Sequence, residues 1–216
     1  MNKPLIVIGA GGHASVLADI LTRQGQTILA LVAPDSLGEG ALAGLPLWQE
    51  ETLSTNASPD SCLLVNGIGF VAGSDLRAKI FSRYAEKGYR FASVVAQEAV
   101  ISPHAFLGEG VQIMPGAIVQ SCARIGNNTL INSGAIVEHD SAVGDNGHLA
   151  PRAVLCGNVT LGKNVFVGCG AVVVQGIQVG DEAVVGAGAT LTCHLPKNHI
   201  VFPARARLAE RSYQQR

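Results

Sequence analysis

The sequence predicts a small N-terminal α/β domain with a half-Rossmann-like sheet, followed by a left-handed parallel β-helix. Two observations predict the second part: every sixth residue from 101 to 191 is aliphatic, and glycine recurs every eighteen residues from 108 to 180. A six-residue period is the pattern of a parallel β-helix, in which each unit makes one short strand and one turn. One observation predicts the first part: the chain opens with an apolar run, a glycine-rich loop and a helical stripe, as in a βαβ unit.

The N-terminal part contains three predicted strands and two predicted helices. Short apolar runs predict strands over residues 4–9, 27–33 and 62–65, and apolar residues at helical spacing predict helices over 15–25 and 74–87. Val16, Ile20 and Leu21 form the expected buried stripe of the first helix, and Ser74 is the expected N-cap of the second. Short strands that alternate with helices imply a small parallel sheet covered by helices.

The six-residue period explains the shape of the second part. An aliphatic residue in every unit can point inward only if the chain turns a corner once per unit, and three corners close a triangular coil. Glycines eighteen residues apart are then expected to stack at one corner, one in each of about five coils. The aliphatic positions are Ile101, Leu107, Ile113, Val119, Ile125, Ile131, Val137, Val143, Leu149, Leu155, Leu161, Val167, Val173, Val179, Val185 and Leu191. The expected stack is Gly108, Gly126, Gly144, Gly162 and Gly180.

The change of period divides the chain into three expected parts. Residues 1–95 form the α/β domain, residues 96–194 form the β-helix, and residues 195–216 form a C-terminal cap and tail. A cap is expected because the last coil of a solenoid leaves its apolar layer uncovered.

Composition narrows the class of protein. The residues are 48% hydrophobic but only 5% aromatic, with 26 glycines, which suits small regular layers. Fifteen Lys and Arg against 16 Asp and Glu give no basic field for nucleic acid. The five cysteines form no CxxC pair, which indicates reduced thiols in a cytoplasmic protein. No apolar stretch predicts a membrane span or a signal peptide.

His139 is the strongest candidate for a general base. It lies two residues after the inward-pointing Val137, which places it at a corner of a coil and outside the core. Imidazole titrates near pH ~6.5, so it can take a proton from an attacking group at neutral pH. Asp140 can accept a hydrogen bond from the other ring nitrogen and fix the tautomer, and Glu138 is the competing orienting residue.

Gly157 follows His139 by eighteen residues, so the two are expected to lie side by side in successive coils. Its backbone N–H can stabilise an oxyanion beside the histidine, a contribution of ~3 to 4 kcal/mol per donor where measured. The same glycine also fits a purely structural role in the turn before Asn158.

The loop over residues 9–14 falls between the first strand and the first helix, where backbone N–H groups can bind phosphate. Its spacing also approximates the dinucleotide motif, with Asp35 about twenty residues beyond it. A dinucleotide site is therefore the alternative interpretation. The size of the domain argues against it, because under about a hundred residues leave room for one nucleotide and not two.

Three features together resemble one family: the opening Ile-Gly-Ala-Gly-Gly-His-Ala over residues 8–14, the unbroken hexapeptide array, and Glu138-His139-Asp140 followed nine residues later by His148. The chain is similar to bacterial sugar-nucleotide acetyltransferases of the hexapeptide-repeat family, which N-acetylate UDP-linked 4-amino-4,6-dideoxy sugars, as in the bacillosamine pathway. The resemblance covers nearly the whole chain. It implies a homotrimer in which acetyl-CoA lies outside the prism between adjacent subunits and the N-terminal domain holds the sugar nucleotide.

The resemblance also implies roles for individual residues. The acid after the histidine, Asp140, is the implied orienting residue, although relatives usually have Glu there. His148 and Gly157 are implied to contact acetyl-CoA, and Arg205, in a Pro-Ala-basic sequence, to meet the CoA phosphates. Three residues are implied to contact the sugar nucleotide: Gly11, His13 near the sugar, and Asp35 near the base or ribose.

The expected reaction is direct transfer from acetyl-CoA to the 4-amine of a UDP-amino sugar, with His139 as base and no acyl-enzyme. Two alternatives stay open: O-acetylation of a sugar of the sialic-acid type by the same fold, and a non-catalytic nucleotide-binding β-helix protein. A metal is not expected, because zinc-dependent β-helix enzymes need three converging histidines. His104, His139 and His148 include no pair at ligand spacing.

Overall fold

The structure is a computed structural model that describes residues 3–35, 39–70 and 74–204. The elements of its first part are β1 (Leu5–Ile8), α1 (Gly12–Arg23), β2 (Ile28–Val32), a 3₁₀ turn (Gly40–Leu42), β3 (Leu47–Trp48), α2 (Glu50–Asn56), β4 (Leu63–Asn66) and α3 (Leu76–Glu86). The strands form a four-stranded parallel sheet in the order β3-β2-β1-β4.

Helices cover both faces of this sheet. Side chains alternate along a strand, so Leu5 and Val7 of β1 pack with α1, whereas Ile6 and Ile8 pack with α2 and α3. The core on the α1 face also includes Met114 of the second part of the chain. The N-terminal domain is therefore packed directly against the β-helix.

The sequence predicted the longer elements of this domain but not all of their details. Val16 is 46% exposed, and Leu17 takes its expected place in the buried stripe of α1. The backbone N-cap of α3 is Asp75, not Ser74, whose hydroxyl instead accepts a hydrogen bond from the N–H of Leu76 at 3.3 Å. The sequence did not predict β3 and α2, because one has two residues and the other buries a single side chain.

The second part consists of eighteen two-residue strands, β5 to β22. In chain order these are Val94–Val95, Val100–Ile101, Phe106–Leu107, Gln112–Ile113, Ile118–Val119, Arg124–Ile125, Leu130–Ile131, Ile136–Val137, Ala142–Val143, His148–Leu149, Val154–Leu155, Thr160–Leu161, Phe166–Val167, Val172–Val173, Gln178–Val179, Val184–Val185, Thr190–Leu191 and Ile200–Val201. They form parallel sheets of seven, six and five strands, named here the seven-, six- and five-stranded faces. The seven-stranded face begins with β5, the six-stranded face with β6 and the five-stranded face with β7.

From β5 to β21, successive strands lie on successive faces, so each of these coils contributes one strand to each face of a triangular prism. The predicted left-handed parallel β-helix is confirmed. The second residue of each strand from β8 to β21 is the predicted aliphatic one and is at most 3% exposed. Burial of this layer by the coils above and below it stabilises the prism along its axis.

The predicted glycine stack forms the corner between the five- and seven-stranded faces. A Cβ atom on Gly126 would lie 2.7 Å from the carbonyl carbon of Gly144, and one on Gly144 would lie 2.6 Å from that of Gly162. Any larger residue would therefore push neighbouring coils apart. This contact explains the eighteen-residue glycine period.

Strand pairing in the prism runs from Val94 to Val201, past the expected end of the β-helix at residue 194. The division of the chain into three domains stays a prediction. None of the helices in the described ranges is long and apolar enough to cross a membrane.

Candidate active site

His139 lies in the turn between β12 and β13, where the chain passes from the six- to the five-stranded face. This turn is named here the His139 corner. Its second residue, Asp140, has a φ of 59°, in the left-handed region that Asp and Asn adopt more readily than most residues. The imidazole is 57% exposed, as expected for a side chain two residues beyond the inward-pointing Val137.

The carboxylate of Asp140 contacts the imidazole directly, with 2.8 Å between Oδ2 and Nδ1 of His139. An ionised carboxylate can only accept a hydrogen bond, so Nδ1 carries the proton and the neutral ring has its lone pair on Nε2. Of the two acids that the sequence left open, the geometry places Asp140, not Glu138, against the ring.

Gly157 lies one coil further, against the same ring. A Cβ atom at this position would lie 2.8 Å from both Cε1 and Nε2 of His139. The N–H groups of Cys156 and Asn158 are both paired, to the carbonyls of Val173 and His139, whereas the N–H of Gly157 donates to no acceptor among the described residues. The residue that touches Nε2 therefore offers a free backbone donor.

His148 begins β14 on the seven-stranded face and is only 8% exposed. Its ring lies edge-on to two aromatic rings, with centroid distances of 5.0 Å to Phe70 and 5.2 Å to Phe166. Burial lowers the pKa of His148 to about 3, with a smaller contribution from the positive charge of Arg77. The ring is therefore neutral at pH 7.

The tautomer of His148 follows from its neighbour Asn132. The Oδ1 atom of Asn132 accepts a hydrogen bond from the N–H of Ser133 at 2.8 Å, so its amide nitrogen faces Nε2 of His148 at 3.4 Å. Nε2 is then the acceptor, and Nδ1 carries the proton. Nδ1 is buried and has no partner within the described part of the chain, which costs about 1–3 kcal/mol.

His148 lines a cleft of about 860 Å³ between α3 and the seven-stranded face, named here the interdomain cleft. Its walls include Phe70, Arg77, Arg83, Asn146, His148 and Phe166. Aromatic and cationic side chains on one concave surface suit a ligand that combines an apolar arm with anionic groups.

Arg77, on α3, is buried in the wall of the interdomain cleft. Its Nη1 donates to the carbonyls of Asn66 at 3.0 Å and Ile68 at 2.8 Å, and its Nη2 donates to the carbonyl of Asn128 at 3.3 Å. No carboxylate pairs with it in the described ranges. Burial lowers the pKa of Arg77 to about 9, so the guanidinium remains charged at pH 7.

His13 lies in the first turn of α1, half-buried, with its Nε2 2.8 Å from Oε1 of Gln112 on β8. Burial lowers the pKa of His13 to about 4, partly offset by this hydrogen bond. Gln112 donates to the carbonyl of Asn66 at 2.7 Å, and the Asn66 amide donates to Oδ1 of Asn128 at 3.0 Å. These contacts join the N-terminal domain to the prism.

Four polar residues at this junction were not predicted from the sequence: Asn66, Arg77, Gln112 and Asn128. One signal was present for Gln112: it belongs to a column of outward positions eighteen residues apart whose other members, His148 excepted, are apolar. The column contains Val94, Gln112, Leu130, His148, Phe166 and Val184. A polar residue among apolar ones at equivalent positions is a buried hydrogen-bonding candidate.

Gly11 and Asp35 lie at the carboxyl end of the parallel sheet, where open α/β sheets bind ligands. Gly11 is the N-cap of α1, and Asp35 is exposed beyond β2. A second cleft of about 430 Å³ at this edge is lined by residues that include Gly9, Pro34 and Ile68. Arg205 lies outside the described residues.

The candidate residues form two groups on one chain. His139, Asp140 and Gly157 meet at the His139 corner, whereas His13 and His148 lie beside the seven-stranded face. In a triangular prism, the corner between the six- and five-stranded faces is opposite the seven-stranded face. A single chain therefore does not bring the two groups together.

The histidines do not form a metal centre in the part of the chain that the structure describes. No group of three or more His, Cys, Asp or Glu side chains there is arranged to hold a metal ion.

The chain matches two models of known protein families. One is the bacterial transferase hexapeptide (six repeats), over residues 104–139 and 158–193, and the other is the PglD N-terminal domain, over residues 4–84. No curated protein sequence matched the chain.

Solved structures resemble the whole chain. A histidine variant of the GDP-perosamine N-acetyltransferase from Caulobacter crescentus, in complex with CoA and GDP-perosamine, is 31% identical, with a TM-score of 0.81, 95% of this chain and 97% of that chain covered. The acetyltransferase domain of PglB from Neisseria gonorrhoeae FA1090, in complex with acetyl coenzyme A, is 29% identical, with a TM-score of 0.84 and coverage of 95% and 99%. WeeI from Acinetobacter baumannii AYE is 26% identical, with a TM-score of 0.79 and coverage of 91% and 95%.

The Caulobacter structure is similar in sequence over nearly its full length, and the two family models cover the two parts of the fold in the same order. The chain belongs to the hexapeptide-repeat family of bacterial sugar-nucleotide N-acetyltransferases.

Proposed function

We propose that the chain transfers the acetyl group of acetyl-CoA to the 4-amino group of a nucleotide-linked amino-dideoxy sugar, with a UDP sugar of a bacillosamine-type pathway as the first expectation. The observation that carries the proposal is the contact of the His139 ring with both Asp140 and Gly157, which places a base, its orienting acid and a free backbone donor at one point. The CoA, acetyl-CoA and GDP-perosamine bound by similar proteins support the two substrates. A cytoplasmic location belongs to the proposal, since the five cysteines are free thiols.

The geometry suits direct transfer. The amine nitrogen attacks the thioester carbonyl carbon while Nε2 of His139 takes the amine proton, and Asp140 stabilises the imidazolium. The N–H of Gly157 donates to the carbonyl oxygen as it becomes an oxyanion. When the C–S bond breaks, its electron pair goes to sulfur and the imidazolium returns the proton to the thiolate, which releases CoA and the N-acetylated sugar.

The proposed active enzyme is a homotrimer with its sites between subunits. The two groups of candidate residues lie on opposite sides of one chain, so a second copy must bring its interdomain cleft to the His139 corner. Five of the six outward positions of the six-stranded face are aliphatic, Thr190 being the exception, and Val100 is 63% exposed, so this face suits self-association. The aliphatic positions are Val100, Ile118, Ile136, Val154 and Val172. Light scattering of the purified protein should give three times the mass of one chain.

The test of the function is an assay of thiol release from acetyl-CoA with a panel of UDP-, GDP- and dTDP-linked 4-amino-4,6-dideoxy sugars. Turnover is expected with at least one UDP or GDP sugar. No turnover with any of them, together with no rise in melting temperature on addition of acetyl-CoA or UDP-sugar, would refute the proposal, since any ligand of the folded state must stabilise it.

O-acetylation of a sugar hydroxyl is the enzymatic alternative. It would be supported by turnover with sialic acid in the same assay when no amino sugar reacts.

His148 provides a prediction about acetyl-CoA binding. Replacing His148 with leucine is expected to raise the KM for acetyl-CoA about tenfold, because the variant loses the hydrogen bond that Nδ1 would donate to the bound cofactor. The melting temperature should stay the same or rise, since the variant also removes an unpaired buried donor. Steady-state kinetics and thermal denaturation measure the two effects. An unchanged KM for acetyl-CoA with a raised KM for the sugar nucleotide would assign the donor to the sugar nucleotide.

A further inference from the structure

Gln112 is a fully buried polar residue at the junction of the two parts of the chain, with 0% of its surface exposed. Its side-chain amide is bonded at both ends. The nitrogen Nε2 lies 2.7 Å from the carbonyl oxygen of Asn66, and the oxygen Oε1 lies 2.8 Å from Nε2 of His13. The amide therefore connects a strand of the prism, the last residue of β4 and the first turn of α1.

The orientation of this amide is fixed by chemistry. A backbone carbonyl can only accept, so the NH₂ end of Gln112 must face Asn66 and the oxygen must face His13. The Asn66 carbonyl also accepts from Arg77 at 3.0 Å, and the Asn66 side chain donates to the Arg77 carbonyl and to Asn128. These contacts fix Asn66, so a flipped Gln112 amide would leave two acceptors facing each other in a buried site.

The orientation of Gln112 determines the state of His13. An acceptor oxygen 2.8 Å from Nε2 requires the proton on that nitrogen. Burial beside the positive charge of Arg77 keeps the ring neutral. The second ring nitrogen, Nδ1, then holds a lone pair, and it makes no hydrogen bond to any residue that the structure describes.

We propose that Gln112 is a positioning residue that makes Nδ1 of His13 an obligate hydrogen-bond acceptor, so that this histidine recognises a donor group of the sugar, a hydroxyl or an amine, and not a phosphate. The proposal rests on the proposed function, in which His13 contacts the sugar nucleotide. An ionised phosphate offers only acceptors and would face the lone pair unfavourably. The backbone N–H groups at the start of α1 then bind the pyrophosphate, and His13 contacts the sugar ring.

The first test needs no substrate. Two-bond ¹⁵N–¹H correlation spectra of the ¹⁵N-labelled wild-type protein at pH 7, with His13 assigned by comparison with His13→Gln, report which ring nitrogen carries the proton. The expected result is a protonated Nε2 and an unprotonated Nδ1. A proton on Nδ1, or on both nitrogens, would overturn the proposal. Failure of the acetyltransferase assay would leave this result unchanged, so the two ideas fail separately.

The second test compares two variants with a matched control. Gln112→Met keeps the size of the side chain and removes the acceptor. Gln112→Glu keeps the shape and places a carboxylate beside the His13 ring, which favours the imidazolium form with a donor at Nδ1. Both should raise the KM for the sugar nucleotide that gives turnover by about tenfold or more, with the KM for acetyl-CoA unchanged. Leu130→Met is the control, since Leu130 pairs with Gln112 on the next coil and is equally buried.

The spectra link the kinetic effect to the ring. In Gln112→Met the unprotonated Nδ1 signal of His13 should give way to a mixture of tautomers, and in Gln112→Glu both nitrogens should be protonated. A merely structural role for Gln112 would lower the melting temperature and kcat without changing the tautomer. An unaltered ¹⁵N signature, or a KM for the sugar nucleotide within about twofold of the wild-type value in both variants, would refute the assignment.

Discussion

Replacing His139 with asparagine is expected to lower kcat by roughly 10²- to 10⁴-fold, the range that a positioned general base contributes. The physical reason is that Nε2 is the only ring atom left to take a proton once Nδ1 donates to Asp140 at 2.8 Å. The KM for acetyl-CoA should change little. The melting temperature should not change, because the side chain is 57% exposed and packs against no core residue. Thiol-release kinetics and thermal denaturation measure these quantities.

The matched control for this variant is His104→Asn. His104 is exposed in an equivalent turn between the six- and five-stranded faces, two coils earlier, and its replacement should leave kcat unchanged. A loss of less than about tenfold in His139→Asn would show that another group takes the proton. A complete loss in which even prolonged incubation yields no product would favour a hydroxyl acceptor, since an amine is nucleophilic enough to react slowly without the base.

The prism was predictable from sequence because its geometry repeats. One aliphatic residue in six identifies every inward position, and the approach of Gly126 to Gly144 is repeated at each coil, so the signal accumulates over about five coils. The same period placed His139 beside Gly157, which the structure brings into contact. Repetition makes a weak local pattern specific.

The junction between the two parts was not predictable because nothing in it repeats. Arg77 is an ordinary basic residue of an amphipathic helix in the sequence, and its burial depends on where α3 packs against the prism. The partners Asn66 and Asn128 are 62 residues apart, and no local rule links them. Val16 was misplaced for a similar reason: α1 is also covered by the prism, so its buried stripe is set by two neighbours and not by the sheet alone.

Replacing Gly157 with alanine is expected to lower kcat by about 10²-fold while leaving the fold intact. The new Cβ atom would lie 2.8 Å from both Cε1 and Nε2 of His139, closer than a Cβ atom approaches a non-bonded atom in proteins. The imidazole is the exposed end of a flexible side chain, so the ring moves and the backbone stays. Movement of the ring breaks its contact with Asp140 and displaces Nε2 from the substrate. The backbone N–H of residue 157 is retained, so the expected fall in kcat comes from displacement of the His139 ring.

A double variant separates the two roles of Gly157. If the methyl group acts only by displacing the ring, then adding Gly157→Ala to His139→Asn should cost less than about threefold, since there is no catalytic base left to displace. If the methyl group acts on the oxyanion site, the double variant should lose the full product of the two single losses. Melting temperatures within about 2 °C of the wild-type value in all three proteins would establish that the comparison concerns catalysis and not stability. The 2.8 Å that would separate a Cβ atom of residue 157 from the His139 ring thus gives the mechanism a quantitative test.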